Sequence, residues 1–589
     1  MSSIPCETEK LPSAHPIHPA KVGQWMLFIL VALLVLGPIL MVLIEGFNVG
    51  GREGFRFGMQ HWREALGDPA LGRALWNTFT IVVLRGILGF LIAIPLAWLI
   101  ARTDMPGRNA LEFGFWVAFF LPSLAYIQGW SFLLDGQRGL LNQWILAIPG
   151  IGPAISPHLD VFSYWGIIWV HLMSQNVSTL LVLLVLAFRN IDSNLEEAAR
   201  ISGSSKFGTL RSIVIPLSRP TIAMLVIMAV IRGMQSYEVE AVLGRPAGID
   251  VYSTLVVQML ASEPPDVPAG TVLSTLILFS LIPLIMLQRL YVGRQHYTTV
   301  SSKMRMTQIS LGRVARWVAF AITATIVALQ TLVPFLAVFA GSLMVRWGYF
   351  SIKQPWTLDR WKSVLTNDQF LSCLTNTLVI GIAAGLASAA VCFLIAYVLV
   401  RVRFAAHAAL DFVSWLPWAV PGVLLSLGLV TMVLGVPALR FLYGSSFILV
   451  IAVVLFRFPL SVHLLKSGLM QVNKELEEAS VICGSGRFAT QMRITVPILS
   501  PMLIGVALMT FVTAVNEVSG VVLLASTDVR TLSLLSLDYL MGSQPQREAA
   551  AVVTTIMLVI CVGVALVARS FGISLGAGPA AAGKEAREA

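Results

Sequence analysis

Charge is what this sequence has least of. Of 589 residues only 12% are Asp, Glu, Lys or Arg, while 57% are hydrophobic; a soluble globular chain carries roughly 25% charged and 45–50% apolar residues. A mean hydropathy of +0.82 leaves most segments with no polar face to turn toward water. That excludes a soluble enzyme, a disordered scaffold and a nucleic-acid-binding domain, despite a formal net charge of +10. In a membrane protein a basic excess belongs to the cytoplasmic loops. Cysteine is scarce too. The five present (Cys6, Cys373, Cys392, Cys483 and Cys561) have no CxxC or CxxxH spacing, so neither a disulfide frame nor a zinc site is indicated. His171 alone among the histidines falls clearly inside a core apolar segment, and a lone histidine supplies no nucleophile–base or metal-ligand set. A phosphate loop is missing as well. The tail "GPAAAGKE" (578–585) fits GxxxxGK, but Glu585 stands where a Ser or Thr must reach magnesium, and no strand is readable before it.

What the chain has is long apolar runs. A helix crossing the hydrocarbon core needs about 20 mostly apolar residues, at 1.5 Å per residue through about 30 Å. Spans are expected near 25–46, 75–101, 113–134, 162–188, 219–243 and 269–290, then near 316–343, 374–400, 411–434, 446–465, 502–525 and 549–569. The first run is too long for a signal-peptide core and has no small-residue cleavage pattern, so it reads as an anchor. With the N-terminus placed inside, the inner segments carry nearly twice the Lys and Arg of the outer ones. Both termini are therefore expected in the cytoplasm. The fold class is all-α: a polytopic membrane protein of about twelve transmembrane helices.

The chain repeats itself, which must be recognised before local motifs are interpreted. "LEEAARISGSSKFGTLRSIVIPLSRP" (195–220) aligns without a gap with "LEEASVICGSGRFATQMRITVPILSP" (476–501). Shared pairs include Glu196/Glu477, Glu197/Glu478, Ala198/Ala479, Ile201/Ile482, Gly203/Gly484, Phe207/Phe488, Ile213/Ile494, Pro216/Pro497 and Pro220/Pro501. A second match pairs Asn77 with Asn376, Thr78 with Thr377, Ala97 with Ala396 and Arg102 with Arg401. The spacing between the two matches is longer in the first half, and the surplus is expected in its outer loop at 135–161. Six spans separate the two polar copies, so both emerge on one membrane face, as in parallel repeats.

Each copy is a helix–Gly–helix element. Ser193 with Glu196 fits a capping box, and Asn473 is the cap expected in the second copy. Gly203 suits the left-handed residue that ends a helix, and Pro216 stops the next segment. A single copy is compatible with an ordinary solvated loop. Two copies at equal depth suit docking against a two-fold soluble partner. The pattern Glu197-Ala198-Ala199-x₃-Gly203-x₉-Ile213-x-Ile215-Pro216 is similar to the EAA signature of binding-protein-dependent ABC importer permeases of the type I (MetI-like) class. The second copy, Glu478-Ala479-Ser480-x₃-Gly484-x₉-Ile494-x-Val496-Pro497, departs from it at Ser480 and Val496. The stretch 236–260, "SYEVEAVLGRPAGIDVYSTLVVQML", resembles that of fused permeases in the ferric-iron group, with Glu240 where that pattern has proline.

The resemblance implies that each loop is a coupling helix seated on one of two cytoplasmic ABC ATPase subunits. The coupling residues would be Glu196, Glu197, Ala198, Ala199, Gly203, Ile213 and Pro216, with Glu477, Glu478, Ala479, Gly484, Ile494 and Pro497. It also implies a periplasmic substrate-binding protein, a bacterial inner-membrane location, and no cofactor on this chain, ATP and magnesium belonging to the partner ATPase. The cargo implied is iron(III), with thiamine, polyamines and phosphonates carried by relatives of the same broad group. Outer loops 48–74 and 344–373 are candidate docking surfaces for the binding protein by position. A proton-coupled secondary transporter also has twelve spans and parallel halves, but needs no duplicated docking loop.

Ionisable groups inside spans are functional candidates, because an unpaired charge in hydrocarbon costs at least about 2.5–3.5 kcal/mol. Glu238 and Glu240 in the fifth span, and Asn516 and Glu517 at the matching depth of the eleventh, are placed to offer oxygen ligands to a passing cation. Pairing with Arg85, Arg232 or Arg457 is the structural alternative, and those arginines equally suit an anionic chelate. Pro122, Pro417 and Pro421 interrupt spans three and nine, and "GIAAG" (381–385) suits close helix packing. The expected organisation is a tail at 1–24, a first half at 25–291 (core 73–291, loop 192–220), a basic linker at 292–315, a second half at 316–570 (core 372–567, loop 473–501) and a tail at 571–589.

Overall fold

The computed structural model describes residues 19–50, 54–150, 159–263, 265–293, 308–542 and 544–570. Both tails in large part, most of the linker, Cys6 and the GxxxxGK stretch lie outside the described residues. Within them the chain is helical, with three isolated bridges and no strand. The first half runs α1 (Pro19–Gly46), α2 (Pro69–Arg102), α3 (Arg108–Phe120), α4 (Ser123–Leu134), α5 (Tyr164–Arg189), α6 (Ser193–Ile201), α7 (Arg219–Met234), α8 (Tyr252–Ala261) and α9 (Val267–Gly293). The second repeats the order: α10 (Arg313–Ser342), α11 (Asp368–Arg401), α12 (His407–Trp415), α13 (Gly422–Gly435), α14 (Ser446–Gln471), α15 (Lys474–Ile482), α16 (Val496–Asn516), α17 (Leu532–Met541) and α18 (Arg547–Ser570).

Nine of the described helices are long and apolar enough to cross a membrane, and three further bent pairs raise the number to twelve. Spans three and nine are interrupted where their prolines were expected to break them: α3 meets α4 at 100° and α12 meets α13 at 112°. Pro122 and Pro421 sit at the N-caps of α4 and α13, where each proline's missing N–H costs nothing. The ends of two other spans correct the sequence reading. The fifth span stops at Met234 rather than continuing to 243, and the eleventh at Asn516 rather than 525. The chain then turns back through the short helices α8 and α17, which are too short to span.

The second sequence match explains how those short helices are held. The Thr78 hydroxyl accepts from the Tyr252 amide at 2.9 Å, and Thr377 from the Leu532 amide at 2.8 Å. Asn77 donates to the Asp250 carbonyl and Asn376 to that of Asp528, at 2.9 and 3.2 Å. Each half thus pins its re-entrant helix to its longest span. The first helix of each half embraces the other half: α1 packs on α12 and α13, and α10 on α3 and α4. The glycines of "GIAAG" seat α11 on α16; a Cβ on Gly385 would come within 2.8 Å of the Ala507 carbonyl oxygen. The surplus of the first half lies where expected, since Leu134 and Tyr164 are joined by a long connection carrying its own helix, Leu140–Leu146.

Candidate functional site

The two loops form the same object. Asp192, not Ser193, is the N-cap of α6, its carboxylate accepting from the Asn194 amide at 3.1 Å. The capping box is therefore absent, because Glu196 is used elsewhere. Asn473 caps α15 in the same way, at 3.2 Å. Both helices end in a left-handed glycine, φ +88° at Gly203 and +89° at Gly484. The Ser204 amide reaches back to the Ala199 carbonyl at 3.0 Å, and Ser485 to Ser480 at 3.1 Å, which closes a Schellman turn in each copy. On the helices before the turns, Glu197, Ala198, Glu478 and Ala479 face solvent. So do four large apolar side chains: Ile201 at 87% exposed, Phe207 at 69%, Ile482 at 85% and Phe488 at 75%. Ala199, Ile213, Ile494 and Pro216 are half-buried and Pro497 is exposed. Each loop re-enters the bundle through a π-helical turn, Leu210–Val214 and Gln491–Thr495.

Glu196 and Glu477 point the other way. The Arg102 guanidinium donates to Glu196 at 2.8 Å, with both side chains almost fully buried, and Arg401 to Glu477 at 3.1 Å. Arg401 also donates to the Leu469 and Val472 carbonyls, at 3.1 and 2.6 Å. Arg102 and Arg401 are the last residues of α2 and α11, so each loop is bolted to the foot of a 34-residue helix. The sequence reading missed both arginines, although the second repeat carried them: the two internal matches are the two sides of one ion pair.

The intramembrane candidates separate into two groups. Glu240 is 2% exposed and belongs wholly to the first half. It accepts from His171 Nε2 at 2.8 Å and from Ser236 at 2.7 Å. An ionised carboxylate only accepts, so Nε2 carries the proton and Nδ1 accepts from Arg85 at 3.2 Å. This is the structural pairing with Arg85, relayed through His171. The second half has no counterpart, with Ala384, Ala452 and Val521 in the same registers.

Glu238, Arg232, Arg457, Asn516 and Glu517 gather instead where the halves meet. Glu238, just past α7, sits against the Ser123 hydroxyl at the start of α4 and the Val518 amide just past α16. Glu517 accepts from the Ser519 hydroxyl at 2.8 Å and the Gly520 amide at 3.0 Å, within electrostatic reach of both arginines. Asn516 donates across the interface to the Phe120 carbonyl at 3.2 Å, and Gln235 donates back to the Trp418 carbonyl at 3.1 Å. Phe120 and Trp418 lie at the two helix breaks, so an amide from each half caps the backbone that the other half's break exposes. Sequence reasoning missed Gln235, which aligns with Asn516 in the repeat.

Two stretches of this chain, residues 89–295 and 379–572, match the family described as binding-protein-dependent transport system inner membrane component. The chain belongs to that family. Each matched stretch of this inner-membrane component holds one of the two repeated loops, one sharply bent pair (α3–α4 or α12–α13) and one re-entrant helix. Similar curated proteins include the ferric transport system permease protein FbpB of Actinobacillus pleuropneumoniae, 24% identical over 87% of this chain and 72% of that one. The Fe(3+)-transport system permease protein FbpB 2 of Haemophilus influenzae is 21% identical over 93% and 98%. The "Probable ABC transporter permease protein y4fN" of Sinorhizobium fredii is 24% identical over 95% and 98%. The chain is thus a multi-pass transport permease of this family. Its bent helices put freed carbonyls and polar side chains at the junction of the halves, where irregular backbone inside a membrane is tolerated.

Proposed function

We propose that this chain is the complete transmembrane part of an ATP-driven importer, its two halves acting as two fused permease subunits. Two copies of a cytoplasmic ABC ATPase take the knobs of α6 and α15, each through the exposed Glu197 or Glu478, the flanking alanines, and the apolar pair Ile201/Phe207 or Ile482/Phe488. ATP and magnesium belong to those partners; this chain binds no cofactor. Both termini and both knobs are cytoplasmic, and a periplasmic binding protein delivers the cargo from the opposite side. Nucleotide-driven closure of the ATPases draws the knobs together, and each knob pulls on α2 or α11 through its buried arginine–glutamate pair, favouring one of two bundle arrangements.

The observation that carries this reading is the duplicated knob itself, with a side-chain cap, a glycine turn and an arginine–glutamate anchor in both halves. The cargo we infer is iron(III), supported by the names of the relatives; thiamine, polyamines and phosphonates are the alternatives. Co-reconstitution with its ATPase and binding protein tests the proposal. Iron(III)-loaded binding protein is expected to stimulate ATP hydrolysis and iron accumulation together. Accumulation that survives ATP depletion and collapses with the proton gradient would instead favour a secondary transporter.

A further inference from the structure

Burying arginine in a membrane protein is costly unless its donors are used. Arg232 and Arg457 both sit deep. Arg232 is 13 residues along α7 from its cytoplasmic start at Arg219, and Arg457 is 14 residues from the end of α14 at Gln471, so each lies about 20 Å in from that face. Among the described residues neither guanidinium has a carboxylate within ion-pair distance. Arg457 spends Nε on the Thr513 hydroxyl and leaves its outer nitrogens open. Arg232 stays exposed within the fold, and the contacts of its guanidinium come from the second half: the Trp418 ring, 5.9 Å from its carbon, and the field of Glu517.

The acids at the same level are differently placed. Both oxygens of Glu240 are taken by His171 and Ser236, Glu517 accepts from Ser519 and Gly520, and Glu238 faces Ser123 and the Val518 amide. Both contacts of Glu517 fall on Oε1, so these acids are largely committed to the protein's own donors while the outer nitrogens of Arg457 are open, the reverse of what a bare cation needs. A guanidinium with open N–H groups on an aromatic face suits a planar oxyanion, which it grips in bidentate fashion.

We propose that Arg232 and Arg457, one from each half, form an oxyanion site at the junction of the halves, taking a carboxylate- or phosphate-bearing ligand. This deepens the transport reading, on which it rests for the site being on the pathway. An iron(III) cargo then passes this level as an anion-chelated complex rather than as the bare ion, because the bare ion meets two guanidinium charges that no carboxylate among the described residues touches at ion-pair distance.

Binding is measured on the full-length chain alone, in nanodiscs of zwitterionic lipid, so its failure is distinguishable from failure of ATP-driven transport. The probes are citrate and inorganic phosphate against spermidine and thiamine. The expected result is saturable binding of at least one anion and none of either cation. Arg232→Gln and Arg457→Gln should each weaken that binding tenfold or more, with their nanodisc particles unchanged in size. Arg232→Lys with Arg457→Lys keeps the charge without the fork, and is expected to retain weak binding should the glutamine variants fail to assemble. Anion binding unchanged in the glutamine variants, binding of neither anion, or preferential spermidine binding would overturn the site.

Discussion

Glu196 and Glu477 occupy one place in the repeat, yet the structure gives them unequal dependence on their partners. Glu196 and Arg102 are 3% and 2% exposed in their side chains, against 12% and 8% for Glu477 and Arg401. Arg401 also keeps two carbonyl acceptors, whereas one Arg102 nitrogen (Nη2) has no hydrogen-bond partner. Removing one member of a buried pair strands the other charge at about 3–5 kcal/mol, while replacing both by apolar groups is often neutral. Glu196→Gln should therefore lower the unfolding temperature clearly, Glu477→Gln much less, and Arg102→Met with Glu196→Leu should recover most of the loss. A Glu196→Gln variant that melts with the parent would remove the bolt from the account. Neighbouring Glu197 is solvent-exposed, so its substitution should spare stability.

At the level of elements, the knobs are turns made possible by one glycine each. A Cβ at Gly203 or Gly484 would meet nothing within 4 Å, so any cost inside this chain is the left-handed conformation alone, about 1–2 kcal/mol per site. Changing both to a bulky residue should leave membrane insertion intact and release the ATPase, read by co-purification; ATPase recovered at normal yield would contradict docking there. The repeat made these loops legible, because helix formers, a terminal glycine and a stopping proline recur at fixed spacing. Span ends were less legible. Hydropathy sums composition and cannot see that residues 235–243 and 517–525 leave their helix, since the re-entrant segments that follow are equally apolar. The prolines of spans three and nine marked the breaks, but a local residue does not fix a bend of 100°; packing of α1 and α10 around the opposite half does. Gln235 and Arg102 were overlooked because an amide or arginine at a helix end has ordinary uses, and only the partner across the fold gives it a role.

At the scale of the whole molecule, the chain is a near-symmetric pair whose described bundles differ in a buried polar relay. The Arg85–His171–Glu240 relay stiffens only the first half, while the cross-capping by Gln235 and Asn516 ties the halves together where cargo would pass. Force applied at the two knobs has a defined route into this junction: Arg102 into α2 and Arg401 into α11, which pack against α7 and α16 respectively. On the proposed coupling, nucleotide on the partner ATPases changes the separation of the knobs. Cys483 is exposed at the end of α15, and Ser202 is its counterpart after α6, while Cys373, Cys392 and Cys561 are buried. Spin labels on Cys483 and on Ser202→Cys, with Cys6→Ser removing the remaining thiol, report that separation by pulsed dipolar spectroscopy in the assembled, reconstituted complex. The distance distribution should shift to shorter values when non-hydrolysable ATP is added and return when it is removed. A distribution that does not move with nucleotide, in a complex that still hydrolyses ATP, would contradict the account.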